Sequence, residues 1–271
     1  MIKTYDTHAH LDHVQDVDEA LKEAHAVGIV GVVAMGVDLA ANRTNLDIQQ
    51  RTENPKVYVA LGIHPGNIKP EEIDETLQFI RENIKKAVAV GEIGLDYWYK
   101  DVRKSDARKQ EQRDVFEKQL LIAQEFNLPV VIHSRGAWKD CLEMAKRVGI
   151  KKANFHWYSG PVDVLGKILE NGYFISATPA LRYSPQLQEA VKRAPIEQTL
   201  IETDSPVYFQ EGEGGFGATP KHVLKTLTLY AAIKNLSEGE AAEVFNRNAQ
   251  NFFNFPSPTP PPEGGARGGG N

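Results

Sequence analysis

The chain has 271 residues, of which 41% are hydrophobic and 25% are charged, and this balance is typical of a globular protein. The single cysteine, Cys141, excludes an intrachain disulfide scaffold. No basic segment followed by an apolar run is seen after Met1, and together these two observations predict a cytoplasmic protein. No run approaches the ~18 apolar residues of a membrane span, and a net charge of −5 argues against a protein that coats duplex DNA through bulk positive charge.

Short runs rich in valine and isoleucine alternate with longer amphipathic segments along residues 1–253. Eight of these runs predict strands, at 2–7, 29–36, 57–63, 87–93, 129–133, 153–156, 173–177 and 199–203. Apolar residues recur at helical spacing between them, most clearly at 16–27, 108–126, 161–170 and 237–253. Strands that alternate with helices predict a parallel sheet, and eight such units in about 250 residues predict a closed (β/α)₈ TIM barrel.

The last 18 residues, 254–271, differ in composition from the rest of the chain. They read NFPSPTPPPEGGARGGGN, in which five prolines are followed by five glycines. Proline removes backbone donors and glycine raises the entropic cost of ordering, so the segment predicts a disordered tail. We therefore expect a barrel domain over residues 1–253 and a tail over 254–271.

The predicted strand ends carry metal-ligating residue types. In a TIM barrel the catalytic side chains lie where strands end, and residues two apart in an extended segment point to the same side. The HxH pair after the first strand is by itself compatible with two loop histidines, and the carboxylate in the fourth strand with a paired structural group. Taken together, the ends of strands one, four, five, six and eight supply six candidate ligands: His8, His10, Glu92, His133, His156 and Asp204.

Four imidazoles and two carboxylates, without a thiolate, suit Zn²⁺, Mn²⁺, Fe²⁺ or Mg²⁺. One tetrahedral ion needs fewer ligands than six, so the set favours two divalent ions per chain. Glu92 is then the natural bridge between them, and the predicted cofactors are two ions of Mg²⁺, Mn²⁺ or Zn²⁺.

Six segments resemble, in the same order along the chain, the motifs of the TatD family of metal-dependent hydrolases in the amidohydrolase-like superfamily. They are DTHAHLD at 6–12, GIHP at 62–65, GEIGLD at 91–96, LPVVIHSR at 128–135, FHWYSG at 155–160 and ETDSP at 202–206. The resemblance implies a first metal site held by His8, His10, Glu92 and Asp204. It implies a second metal site held by Glu92, His133 and His156. His64, in the second motif, is implied to face the same pocket and to contact substrate or water.

Three segments depart from the family's pattern. Trp157 and Tyr158 follow the sixth-strand histidine where cysteine and phenylalanine are common, and Ser205 replaces a common alanine. The stretch 215–221 lacks an arginine that often precedes the last long helix. The last departure weakens the inference of a phosphate contact there and leaves the implied metal ligands unaffected.

The resemblance implies a deoxyribonuclease, specifically a 3′→5′ exonuclease that cleaves phosphodiester bonds of single-stranded DNA or RNA. We hypothesise that two ions activate the attacking water, that Asp204 accepts its proton and that His64 orients the substrate or leaving group. Arg135, Tyr97 and Trp157 are the predicted substrate contacts, because cations attract phosphates and aromatic faces stack on unpaired bases. The expected partner is therefore a nucleic acid, with no membrane and no obligate protein partner.

Two other readings stay open. The same ions could serve a D-aminoacyl-tRNA deacylase or a hydrolase of small amides or esters, which would differ from a nuclease only at the rim of the pocket. A non-catalytic metal-binding scaffold on a retained barrel is the third reading. The carboxylate of Asp204 argues against the scaffold, because a purely structural site is normally closed by fewer ligands.

Overall fold

Eight parallel strands form the centre of the fold and follow one another in the order of the sequence. They are β1 (Thr4–Ala9), β2 (Ile29–Met35), β3 (Lys56–Leu61), β4 (Ala87–Gly94), β5 (Val130–His133), β6 (Ala153–Phe155), β7 (Phe174–Ala177) and β8 (Thr199–Ile201). The ring closes where Asp204 N donates to His8 O over 2.9 Å. Next to this bond, His10 N donates to Ser205 O over 2.8 Å. The computed structural model thus confirms the TIM barrel that the alternating pattern predicts.

Nine helices lie in the part of the chain that the structure describes, residues 1–255. They are α1 (Val17–Ala26), α2 (Leu39–Arg51), α3 (Ile73–Asn83), α4 (Asp106–Phe126), α5 (Trp138–Val148), α6 (Val162–Glu170), α7 (Pro185–Arg193), α8 (Val223–Lys234) and α9 (Glu238–Phe253). The four predicted helices correspond to α1, α4, α6 and α9, with ends that differ by at most two residues. None of the nine combines the length and hydropathy needed to cross a bilayer.

The first strand begins and ends two residues later than the apolar pattern predicts, at Thr4–Ala9 instead of 2–7. Asp6 does not end the strand, because its buried carboxylate accepts hydrogen bonds from Thr203 N at 2.9 Å and Thr203 Oγ1 at 2.6 Å. A buried polar group is tolerated when it is bonded in this way. The pair also ties β1 to the segment after β8, so both carry their functional residues to the same edge of the barrel.

The inside of the barrel is filled by apolar side chains from several strands and from the end of α9. These are Tyr5, Val33, Met35, Ala60, Ala89, Val131, Leu200, Phe252, Phe253 and Phe255. Phe255 is only 6% exposed, and its ring stacks on that of Tyr58 with centroids 3.9 Å apart. Burial of this ring offsets the cost of ordering the backbone, so the packed chain continues two residues past the boundary expected at 253. The rest of the predicted tail, 256–271, lies outside the described residues.

A hairpin follows the last barrel strand, and the sequence pattern does not reveal it. Its strands are β9 (Tyr208–Glu211) and β10 (Gly214–Gly217), which pair antiparallel. Glycine fills most of β10, so no apolar alternation marks that strand. The buried ring of Phe209 lies 5.5 Å from that of Trp157, which places the hairpin beside the carboxyl ends of the barrel strands.

Candidate metal centre

The carboxyl ends of five barrel strands bring the six predicted ligands into one buried cluster. His8 lies near the end of β1, Glu92 near the end of β4, and His133 is the last residue of β5. His156 directly follows β6, and Asp204 lies three residues after the end of β8. Residues two apart on β1 share a side, which brings His10 to the same point. Side chains that are far apart in sequence therefore meet at one mouth of the barrel.

Glu92 stands at the middle of this cluster, with each carboxylate oxygen facing a different pair of histidines. Its Oε2 atom lies 3.4 Å from the Nε2 atoms of both His8 and His10. Its Oε1 atom lies 2.9 Å from His133 Nδ1 and 2.8 Å from His156 Nε2. Burial works to raise the pKa of Glu92, but the surrounding imidazoles hold that pKa well below its usual range. The carboxylate is thus ionised between two groups of nitrogen ligands.

Asp204 completes the first of these groups. Its Oδ1 atom lies 3.2 Å from His10 Nε2 and 3.5 Å from His8 Nε2. The backbone of Asp204 is left-handed, with φ of 51°, a conformation that aspartate tolerates better than most residues. Burial opposes ionisation, but contact with His10 and the charges of both rings lower the pKa of Asp204 to about 2. A second carboxylate is therefore ionised beside the same histidines.

The spacing of these atoms fits divalent cations. Ligand atoms about 2.0–2.2 Å from one ion, at angles between octahedral and tetrahedral, lie about 2.8–3.6 Å from one another. The measured contacts of Glu92 Oε2 and Asp204 Oδ1 with their two histidines range from 3.2 to 3.5 Å. The Oε1 atom of Glu92 lies 2.9 Å from His133 Nδ1 and 2.8 Å from His156 Nε2, and these two nitrogens are 3.4 Å apart. Two sets of candidate ligand atoms, each spaced as one cation would require, therefore include an oxygen of Glu92.

Several buried polar atoms of the centre have no hydrogen-bond partner among the described residues. They are both ring nitrogens of His8, Nδ1 of His10, Oε2 of Glu202 and Oδ1 of Asp204. An unpaired buried polar atom is costly, and a cation in contact with the lone pairs removes that cost. The one thiol, Cys141, points elsewhere and donates to the backbone oxygen of His133. The residues present thus fit a divalent cation of the imidazole- and carboxylate-binding kind.

Two outer carboxylates, Glu202 and Asp96, hold the far sides of the histidine rings. Glu202 Oε1 lies 3.4 Å from His156 Nδ1 and accepts from Trp157 N at 3.0 Å. Asp96 Oδ2 lies 2.8 Å from His133 Nε2. A ring that donates its outer N–H to a carboxylate would have its other nitrogen, on the Glu92 side, available as the ligand of a cation.

Sequence reasoning missed both outer carboxylates as site residues, although signals for them were present. Asp96 lies four residues after Glu92, and Glu202 lies two residues before Asp204, so each shares the strand parity of a predicted ligand. Glu202 also directly follows a buried apolar strand, where a carboxylate needs a partner.

His64 faces the same cluster from the loop after β3. Its Nδ1 atom accepts the N–H of Gly66 at 3.0 Å, which assigns the ring proton to Nε2. That Nε2 atom lies 3.6 Å from Glu92 Oε1. Burial lowers the pKa of His64 to about 3, so the ring is neutral at pH 7. His64 therefore offers an N–H donor to the cavity instead of a lone pair or an ionised acid.

A cavity of about 920 Å³ opens over the cluster and includes His64 and Asp204 in its wall. Of the three predicted substrate contacts, Arg135 and Trp157 line it. Arg135 donates from Nε to Asp96 at 2.8 Å. One guanidinium and several aromatic rings in the cavity wall are thus close to the candidate metal centre.

Tyr97, the third predicted contact, lies outside this cavity. Its hydroxyl donates to Asp140 at 2.9 Å, and its ring packs under Arg113 with the guanidinium 5.4 Å from the ring centroid. The next two residues, Trp98 and Tyr99, line the cavity in its place. The contacts of Tyr97 with Asp140 and Arg113 therefore hold its ring away from the cavity.

Comparisons with known proteins extend over the whole barrel. The sequence model described as TatD related DNase matches residues 5–254. The human protein Deoxyribonuclease TATDN3 is 30% identical over 260 residues, which cover 92% of this chain and 93% of the human one. YabD of Bacillus subtilis, an uncharacterized metal-dependent hydrolase, is 29% identical over 92% of this chain and 98% of its own. The crystal structure of YJJV, a TatD homolog from Escherichia coli K12, matches with a TM-score of 0.83 and 24% identity over 93% of this chain and 98% of that one.

Proposed function

Because the chain belongs to the TatD related DNase family of metal-dependent hydrolases, we propose that it is a nuclease that shortens single-stranded DNA or RNA from the 3′ end. The observation that carries the proposal is the division of contacts around Glu92. One oxygen faces His8 and His10, and the other faces His133 and His156. This arrangement suits two cations that share one carboxylate.

The proposed first ion is held by His8, His10, Glu92 and Asp204, and the proposed second ion by Glu92, His133 and His156. When bound, such ions polarise a phosphoryl oxygen and lower the pKa of a nearby water. The ligand types suit Mg²⁺, Mn²⁺ and Zn²⁺.

The proposed proton acceptor is Asp204. Its carboxylate is ionised and lines the cavity, so it can take the proton of the attacking water on one of its oxygens. The contacts with His8 and His10 keep the side chain in one orientation. No reorganisation of the chain is then needed as the proton moves.

His64 and Arg135 are proposed to orient the substrate. The Nε2–H group of His64 can donate to a phosphoryl oxygen, and being neutral it does not repel cations in the centre. The guanidinium of Arg135 is anchored through Nε, which leaves its terminal N–H groups to pair with a phosphate. Trp157, at the cavity wall, supplies an aromatic face for an unpaired base.

The test is cleavage of single-stranded and duplex oligonucleotides labelled at the 5′ or 3′ end, with Mg²⁺, Mn²⁺ or Zn²⁺ and with chelator. We expect a ladder of shortened 5′-labelled single strands that depends on metal, and slower attack on the duplex. No cleavage of either substrate with any metal would overturn the nuclease proposal. Release of D-tyrosine from charged tRNA in the same preparation would instead favour the deacylase reading.

A further inference from the structure

A second opening lies beside the main cavity, and we call it the basic groove. It has a volume of about 690 Å³ and is lined by Tyr97, Trp98, Arg103, Lys109, Arg135 and Gly136. Trp98 and Arg135 also line the main cavity, so the two openings are adjacent. A chain-like ligand seated at the candidate metal centre can therefore extend into the groove.

The groove concentrates positive charge on a protein whose net charge is −5. Three of its six lining residues are cationic, and none of the six is acidic. Lys109 Nζ lies 3.6 Å from Asp106, whose side chain is fully exposed, so water screens that pair strongly. Arg103 is exposed, and no carboxylate of residues 1–255 pairs with it. A local patch of this kind attracts anions despite the overall charge.

Trp98 forms a rigid aromatic platform at the junction of the two openings. Its side chain is 59% exposed, yet its edge packs against Trp138 at a centroid distance of 5.9 Å and an angle of 90°. A Cβ atom on Gly136 would come within 2.4 Å of Trp98 Cδ1, so the ring lies directly on this glycine. Gly136 also has a φ of +74°, a backbone conformation that glycine adopts more readily than residues with a side chain.

The platform is tied to the metal centre through Asp96. One carboxylate oxygen of Asp96 accepts from Trp98 N at 2.9 Å, and the other accepts from Arg135 Nε and contacts His133 Nε2, both at 2.8 Å. A histidine of the centre, a cation of the groove and the aromatic platform are thus held by one side chain. Their relative positions are fixed before any ligand arrives, which lowers the cost of binding.

We propose that the basic groove binds the stretch of a single-stranded nucleic acid that adjoins the scissile phosphate, with one base stacked on Trp98 and the backbone phosphates on Arg103, Lys109 and Arg135. The inference rests on the nuclease function proposed above. An exposed indole face needs an unpaired base, because the faces of paired bases are covered by their neighbours in the duplex. Cations that flank an aromatic platform are the arrangement that follows a single strand rather than a small anion.

The experiment measures binding of a labelled single strand of about eight nucleotides to the full chain, by fluorescence anisotropy in chelator so that the strand stays intact. We expect Trp98→Ala to weaken binding roughly 5- to 100-fold and Trp98→Phe to restore most of it. We expect Arg103→Ala to reduce the slope of log affinity against log salt by about 0.7, the value for one phosphate contact on a single strand.

Two control variants lie away from the groove. Phe126→Ala removes an exposed aromatic ring at the far end of α4, and Arg247→Ala removes an exposed cation from α9, which packs on β1 and β8. Both should bind and cleave like the unmodified chain. A loss in Phe126→Ala as large as that in Trp98→Ala would overturn the proposal, because stacking on Trp98 would not explain it.

The outcomes separate this proposal from the nuclease function itself. If the unmodified chain cleaves single strands while Trp98→Ala and Arg103→Ala bind with unchanged affinity and salt slope, the proposed role of the groove is wrong and the nuclease function is supported. If the unmodified chain cleaves nothing, yet the two variants lose binding as expected, strand binding by the groove is supported and the nuclease function is wrong. A duplex that binds as tightly as the single strand would also overturn the groove.

Discussion

The Oε1 atom of Glu202 lies 3.4 Å from the Nδ1 atom of His156. The opposite nitrogen of that ring, Nε2, lies 2.8 Å from Glu92 Oε1. The imidazole is thus held between an outer carboxylate and the carboxylate at the middle of the cluster. This arrangement fixes the orientation of the ring, and with a cation bound the contact of Nδ1 with Glu202 would leave Nε2 as the coordinating nitrogen.

Replacement of Glu202 by glutamine should weaken metal binding while the barrel stays folded. The amide oxygen can still accept the N–H of Trp157, but the charge that supports the His156 ring is lost. Loss of such an outer partner typically costs about 10- to 100-fold in metal affinity. Calorimetric titration with Mn²⁺ or Zn²⁺ measures the metal affinity, and replacement of the exposed Glu197 by glutamine is the control. Equal affinity in both variants would show that Glu202 does not support the centre.

Replacement of Glu92 by alanine should remove bound metal. One oxygen of Glu92 contacts the first proposed set of ligands and the other contacts the second, so its loss affects two sites at once. We expect elemental analysis to fall from about two ions per chain to fewer than one. Glu82→Ala, on the exposed face of α3, is the matched control. Two ions retained by Glu92→Ala would contradict the bridging role.

Asp204→Asn should collapse turnover with little change in stability. Asparagine keeps the size of the side chain but cannot accept the proton of the attacking water, and loss of a positioned base typically costs about 10²- to 10⁴-fold. Single-turnover cleavage rates at saturating metal measure the effect, and thermal unfolding checks the fold. Rates close to those of the unmodified chain would remove Asp204 from the base role.

Divalent metal should raise the unfolding temperature of the chain. The cluster gathers buried atoms that have no hydrogen-bond partner within residues 1–255, and a ligand that binds only the folded state stabilises it by mass action. At metal concentrations near 100 times the dissociation constant, the gain is about 2.7 kcal/mol. For a chain of this size that corresponds to roughly 5–10 °C. Chelator should reverse the shift, and Glu92→Ala should show little of it; a shift of full size in that variant would place the stabilising metal elsewhere.

Phe255→Ala should destabilise the barrel by about 3 kcal/mol, because a buried aromatic side chain that is truncated leaves a cavity. Its ring stacks on Tyr58 and on Phe253, with centroids 3.9 and 5.2 Å apart. Urea unfolding measures the change, and Phe126→Ala, whose ring is 37% exposed, is the comparison. Equal stability of the two variants would mean that the packed chain ends before residue 255.

The barrel and the residue types at its mouth follow from patterns in the amino-acid sequence. Apolar runs separated by amphipathic segments are local patterns, and backbone geometry converts them directly into strands and helices. His8 and Glu92 could be predicted as neighbours for the same reason, since strand ends of a closed parallel barrel share one rim. Prediction of the proposed ligands thus depended only on the order of the elements and on which residues of a strand share a side.

The groups that support and surround that mouth are set by long-range packing, which becomes visible only in the folded chain. Glu202 meets His156 across 46 residues, and Asp96 meets His133 across 37, distances over which no local pattern reports a contact. Packing in the folded chain also keeps Tyr97 out of the cavity, while Trp98 and Tyr99 line it. In a loop without a repeating pattern, the direction of each side chain is set by what packs against it, and here that is Gly136 beneath the indole ring.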